Sequence, residues 1–158
     1  LSVYDSAGNF LDNPKDYKQL VYDIIGSAME VHRELRWGML EPLYNEALYR
    51  ELNSRGIPCM RELPVPCYYK GQKMDKYYQL DLVVGDVIVE LKANKSIDSV
   101  HRSQLFNYMR LTKKPIGLLI NFGQPSLQGE RYAYFMETNE CVLLDKEMNI
   151  VRKHITNN

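Results

Sequence analysis

The sequence predicts one α/β (α+β) domain, a mixed central β-sheet flanked by helices with an extra β-rich tail at its C-terminal end. Three observations lead there. The chain has 158 residues, 45% hydrophobic and 25% charged, which suits one folded domain with a core of its own. Apolar residues recur at helical spacing up to about residue 55, and near residue 57 the period changes to that of strands. One further helical stretch then separates an apolar hairpin from a short apolar run.

Residues 16–35 read as an amphipathic helix burying Val21, Ile24, Ile25, Ala28, Val31 and Leu35. Arg36-Trp37-Gly38 interrupts it, and a second helix is expected over 42–55 with Leu43, Ala47, Leu48 and Leu52 inward. Pro42 suits its first turn and Gly56 its stop. Residues 57–69 read as extended, and Pro58, Pro64 and Pro66 mark an edge or irregular strand. After a turn at Lys70-Gly71-Gln72, residues 77–84 and 87–93 are the clearest strands, joined by Gly85-Asp86, a pair suited to a type II′ turn. A third helix is expected over 99–112, with Val100, Leu105, Met109 and Leu111 as core positions. Residues 116–122 read as a fully buried strand, and 131–136, 141–144 and 150–153 as the strands of the tail.

Composition excludes several classes. Twenty basic and twenty acidic residues cancel, which argues against a polybasic protein. No apolar run approaches the roughly 20 residues of a membrane-spanning helix, so no membrane association is expected. The first fifteen residues lack the basic start and apolar core of a secretory signal. Cys59, Cys67 and Cys141 are odd in number and lack metal-ligand spacing, which fits reduced thiols in a cytoplasm. No phosphate loop, dinucleotide fingerprint or nucleophile with an adjacent base supports a small-molecule enzyme.

The hairpin carries the chemistry. With a two-residue turn, Asp81 falls directly opposite Glu90, and Lys92 shares the face of Glu90. The other face, with Leu80, Leu82, Val84, Val87, Val89 and Leu91, is wholly apolar. Carboxylates so opposed sit about 4.5–5.5 Å apart at Cβ and repel unless neutralised. Mg²⁺ or Mn²⁺, which prefer oxygen ligands, would neutralise them, and a lysine beside them could stabilise an anionic transition state. On spacing alone a second reading stands level: solvated residues on an exposed face, with Lys92 pairing one of the acids.

The pattern D-x₈-E-x-K, from Asp81 through Glu90 to Lys92, resembles the PD-(D/E)XK nuclease superfamily, on two consecutive strands before a helix–strand unit. Gly38-Met39-Leu40-Glu41-Pro42-Leu43-Tyr44 is similar to the G-x-x-E-x-x-Y stretch that names the small bacterial GxxExxY family within it. Gln104 and Tyr108 match the Q-x-x-x-Y motif of its RecB-like branch. Leu80 stands at the position of the superfamily's proline, which its members often lack. The resemblance implies a restriction-endonuclease-like core over 16–123, an N-terminal extension over 1–15 and a C-terminal β extension over 124–158. It implies a metal-dependent nuclease hydrolysing phosphodiester bonds in DNA or RNA. The alternative is a weakly active or inactive nuclease-fold module that binds nucleic acid or a protein partner. Asp81 and Glu90 would then hold Mg²⁺ (or Mn²⁺), Glu41 would complete or orient that site, and Lys92 would assist the attacking water. Gln104 and Tyr108 would support the site and touch nucleic acid.

Taken without the resemblance, Glu41 is an acid complementing a helix dipole, and Gln104 and Tyr108 are ordinary helix residues. His101 shares the face of Gln104 and could reach a phosphate, although a solvated histidine near a helix start is the favoured reading. His32 reads as packed. Residues 92–114 hold six basic side chains, among them Lys95 and Arg102, against Asp98 alone, and Lys70, Lys73 and Lys76 form a second cluster. A basic rim around carboxylates suits a phosphodiester substrate. Near-neutral charge overall suits dependence on a protein partner or homo-oligomer.

Overall fold

The computed structural model describes residues 13–151 in full and the backbone alone of 3–4, 10–11 and 152–154. Most of the expected N-terminal extension and the end of the tail lie outside the described residues. Strands β1 (Val3–Tyr4) and β2 (Phe10–Leu11) pair with each other. A 3₁₀ turn over Pro14–Tyr17 follows, capped by the Asn13 side chain, which accepts the Lys15 N–H at 2.8 Å. It takes up the start of the expected first helix, so α1 spans Lys18–Leu35. Helix α2 spans Glu41–Ser54 and α3 Ser99–Thr112.

Seven strands form one sheet in sequence order: β3 (Met60–Tyr69), β4 (Gln72–Val84), β5 (Val87–Lys92), β6 (Ile116–Asn121), β7 (Gln128–Phe135), β8 (Glu140–Leu144) and β9 (Ile150–His154). Every neighbouring pair is antiparallel except β5–β6, which α3 connects as a crossover. The tail strands therefore extend the central sheet. This is a mixed α+β architecture consistent with a restriction-endonuclease-like core.

The sheet is covered on both sides. One core joins α1 and α2 to Leu82, Val84, Val87, Val89 and Leu91 of the hairpin and to Leu118, Ile120 and Phe122. The other joins Leu105, Phe106, Tyr108 and Met109 of α3 to Val83, Ile88, Leu119 and Tyr132. The face of the hairpin opposite the apolar one is thus also roofed. Gly117 permits it: a Cβ there would stand 2.5 Å from Met109 Sδ.

The hairpin register is the expected one, with Val84 paired to Val87 and Leu82 to Val89 across a two-residue loop in which Gly85 has φ +59°. One expected core position changes sides. Leu80 packs with α3 and not with Leu82, because the strand changes face at Asp81. Opposite that point Glu62 sits between the paired Arg61 and Leu63 with φ +50°, a local distortion of the pleat.

Three core expectations fail. Leu43, Val100 and Leu111 are exposed, whereas Tyr44, Phe106 and Tyr108 are buried. Each helix lies over the sheet on a narrower stripe than its apolar residues could fill. Strand β3 is the sheet edge and carries an irregularity between Pro66 and Tyr68, as its prolines predict. Strand β4 starts five residues before the expected Tyr77, because Lys70 and Gly71 both take positive φ and close a tight hairpin.

Candidate active site

The β4–β5 ladder stops at Leu82–Val89, and the next residues on each strand are Asp81 and Glu90. There side chains take over from the ladder. The Asp81 N–H donates to Glu90 Oε1 at 3.1 Å, and the Leu91 N–H donates to Asp81 Oδ2 at 2.9 Å. Both carboxyls are thereby fixed at the point where the strands part. Glu90 is buried and Asp81 half-buried.

Burial raises the pKa of both groups. For Asp81 the rise is opposed by the Leu91 N–H and by the Lys92 charge. For Glu90 it is compounded by the Asp81 charge and is large. Glu41, in the first turn of α2, is also raised, first by burial and against the pull of Lys92, with Asp81 adding to the rise. The three acids thus form one electrostatic group with Lys92 at its centre.

Lys92 Nζ donates to Gln104 Oε1 at 3.2 Å. The Gln104 side chain also bonds the Tyr108 hydroxyl, one helical turn on. Burial, Glu90 and Asp81 push that phenol to about 12, so it stays a neutral O–H group at ordinary pH. His101 lies close enough to Glu41 to favour its charged form, while its own Nδ1 accepts the Asp98 N–H at 3.3 Å in the capping box of α3.

The expected residues do not all converge. Arg102 makes two bonds of 2.8 Å to Glu130 on β7, and Tyr132 donates to the same carboxylate at 2.6 Å. Its guanidinium is a clamp between α3 and the sheet. Lys95 is exposed in the loop after β5, its carbonyl accepting from the Gln124 amide. His32 is packed: its Nε2 bonds the Gln124 carbonyl at 2.8 Å and its ring tilts against Phe122.

Tyr44 closes the loop that carries Glu41. It is fully buried and stacks on Phe122 at 4.5 Å. Its hydroxyl donates to the Arg36 carbonyl at 2.6 Å and accepts the Met39 N–H at 3.1 Å. Gly38, between them, has φ +101°. The spacing of Gly38, Glu41 and Tyr44 is therefore the spacing of a loop, the acid it presents, and the lock one turn later.

Two residues at the site carry no signal strong enough to single out from sequence. Asn45 Nδ2 donates to the Asp81 carbonyl at 3.4 Å, and Arg61 Nε donates to Asn45 Oδ1 at 3.1 Å while its guanidinium lies over Tyr49. With Glu41, Glu62 and Asp81 they line a pocket of about 200 Å³. The i, i+4 spacing of Glu41 and Asn45 is the clue that was available.

Among the described residues, no three His, Cys, Asp or Glu side chains stand together as a metal-binding group. The pair of Asp81 and Glu90 fits a divalent cation by its chemistry. It offers oxygen donors only, and each carboxyl's charged form is disfavoured by burial. Mg²⁺ commonly takes one or two protein carboxylates and fills its other positions with water and substrate phosphate.

Two strand-borne carboxylates and a lysine thus stand together where a mixed sheet opens. A family model of the PD-(D/E)XK nuclease superfamily matches residues 18–132, and the chain belongs to that superfamily. No curated protein and no solved structure matches it. No described helix is long and apolar enough to cross a membrane.

Proposed function

We propose that the protein is a Mg²⁺- or Mn²⁺-dependent nuclease that hydrolyses phosphodiester bonds in DNA, with RNA as the alternative substrate, and that it belongs to the GxxExxY group near the RecB-like branch. The observation that carries this reading is the mutual fixing of Asp81 and Glu90 beside Lys92. The stretch from Gly38 to Tyr44 and the Gln104–Tyr108 pair support the finer placement. The three free thiols fit a reducing cytoplasm.

Asp81 and Glu90 would hold the ion, which when bound polarises the phosphate and lowers the pKa of a coordinated water. Glu41 orients the group through its charge from the opposite wall of the pocket. Lys92, steadied by Gln104, orients the attacking water and stabilises the negative charge that grows on the phosphoryl oxygens. The water oxygen gives up a proton as it forms the new bond to phosphorus, the bond to the leaving sugar oxygen breaks, and that oxygen takes up a proton in return. Tyr108 donates a hydrogen bond to the substrate backbone.

The test is incubation of the full chain with labelled single- and double-stranded DNA and RNA, with Mg²⁺ or Mn²⁺ and with chelator. Metal-dependent cleavage that falls at least about a hundredfold in Asp81→Asn and Lys92→Ala supports the reading. Full activity in Lys92→Ala would overturn the mechanism. Binding without cleavage would make the domain a nucleic-acid-binding module on a nuclease fold.

A further inference from the structure

Strand β4 is 13 residues long, but only its last three, Leu82 to Val84, pair with β5. Its first eight residues, Gln72 to Gln79, are all exposed and bond only to β3. The two strands therefore leave the sheet as a free two-stranded ribbon. Such a ribbon buries little and is only marginally stable in water by itself. Polar residues would suit its surface, yet it displays Tyr68, Tyr69, Met74, Tyr77 and Tyr78.

The register places these side chains. Val65 pairs with Tyr78 at the base of the ribbon and Tyr69 with Gln72 near its tip, and Met74, Asp75 and Lys76 between them lie in the stretch where the register shifts. The base leads to the candidate active site: Tyr78 meets the ring of Tyr108 edge-on at 5.2 Å, and Leu80 lies beneath α3. From Tyr78 to Gln72 the ribbon runs about 20 Å. The Lys70 ammonium sits over the Tyr69 ring at 5.4 Å. Lys70, Lys73 and Lys76 face Asp75 as the ribbon tip's only acid, so a chain of zero formal charge concentrates positive charge here.

We propose that the β3–β4 ribbon is a binding track for single-stranded nucleic acid, feeding a strand toward Asp81 and Glu90, an inference that rests on the nuclease reading and extends it. Open phenol rings stack on unpaired bases whatever their sequence, and the lysines of the ribbon tip hold the phosphates. A duplex hides its base faces and would leave the tyrosines unused.

The experiment measures anisotropy of a labelled oligothymidylate of about 16 nucleotides with the full chain in chelator, and of the same length of duplex. The single strand should bind more tightly than the duplex. Tyr69→Ala should weaken it about tenfold, and Tyr69→Phe, which keeps the ring, should not. Lys76→Ala should lower the salt dependence by about 0.7 in log–log slope. Unchanged affinity in Tyr69→Ala and Lys76→Ala, or duplex bound at least as well as single strand, would overturn the track while leaving cleavage untouched. Binding lost in the ribbon variants of a chain that cuts nothing under any metal would support the track and sink the nuclease reading.

Discussion

Glu90 accepts the backbone N–H of Asp81 at 3.1 Å, so the carboxylate most deeply buried in the site is tied to the very residue whose charge opposes it. This arrangement stabilises a geometry at the expense of the metal-free fold. Glu90→Gln keeps the shape and an acceptor for that N–H but removes the charge. It should raise metal-free stability and melting temperature at pH 7, because the buried charge and its repulsion by Asp81 are gone. Cleavage should fall at least about a hundredfold. Thermal denaturation in chelator, alongside an activity assay, checks both.

The same pair sets a pH dependence. Burial raises both folded pKa values, so at pH values above the ordinary carboxylate range the native chain holds protons that the unfolded chain has lost. Stability of the metal-free protein should therefore fall as pH rises above about 4.5, through the raised folded values. Saturating Mn²⁺ should flatten the slope, and at a hundred times its Kd should add about 2.7 kcal/mol by linkage. Denaturant melts from pH 4.5 to 8, with and without metal, measure this. A stability that rises across that range in chelator would contradict the assignment.

Tyr44→Phe removes one hydroxyl and leaves the Met39 N–H and the Arg36 carbonyl without it. The cost should be about 1–3 kcal/mol. Since the ring remains stacked on Phe122, the freed element is the loop before Glu41. Activity should drop more than the melting temperature alone accounts for, as read by kcat measured well below the melt.

Gly123→Ala would put a Cβ 2.1 Å from the Asn94 carbonyl, two residues past Lys92. Asn121 holds the two chain segments together there, accepting the Asn94 and Gly123 N–H groups and donating to the Asn94 carbonyl. The substitution should cost about 1–3 kcal/mol. It should also shift the C-terminal end of β5 and reduce activity, whereas Gly38→Ala meets no atom within 4 Å and is opposed only by its φ of +101°. Calorimetric melts of the two variants give the comparison.

The hairpin was legible because everything it needed is local. A two-residue turn and a period of two fix Leu82 opposite Val89, and counting one step further brings Asp81 to Glu90. The boundaries of α3 and the buried run of β6 follow from the same short-range regularity. Legibility failed where a side chain's partner lies far along the chain. Arg102 belongs by composition to the basic rim, yet two of its side-chain bonds go to Glu130, 28 positions on. Nothing in the spacing of Arg61 and Asn45 announces that an irregular edge strand returns to α2.

Periodicity, turn chemistry and the order of Gly38, Glu41, Asp81, Glu90 and Lys92 are properties of neighbouring residues, and a single sequence displays them. Packing decided the rest. It put both faces of the sheet under helices, moved Leu80 beneath α3, joined β7 to β9 onto the central sheet, and left the β3–β4 ribbon unaccompanied. Those outcomes depend on which distant surfaces exclude water together, and apolar burial has no direction along the chain from which its partner could be read.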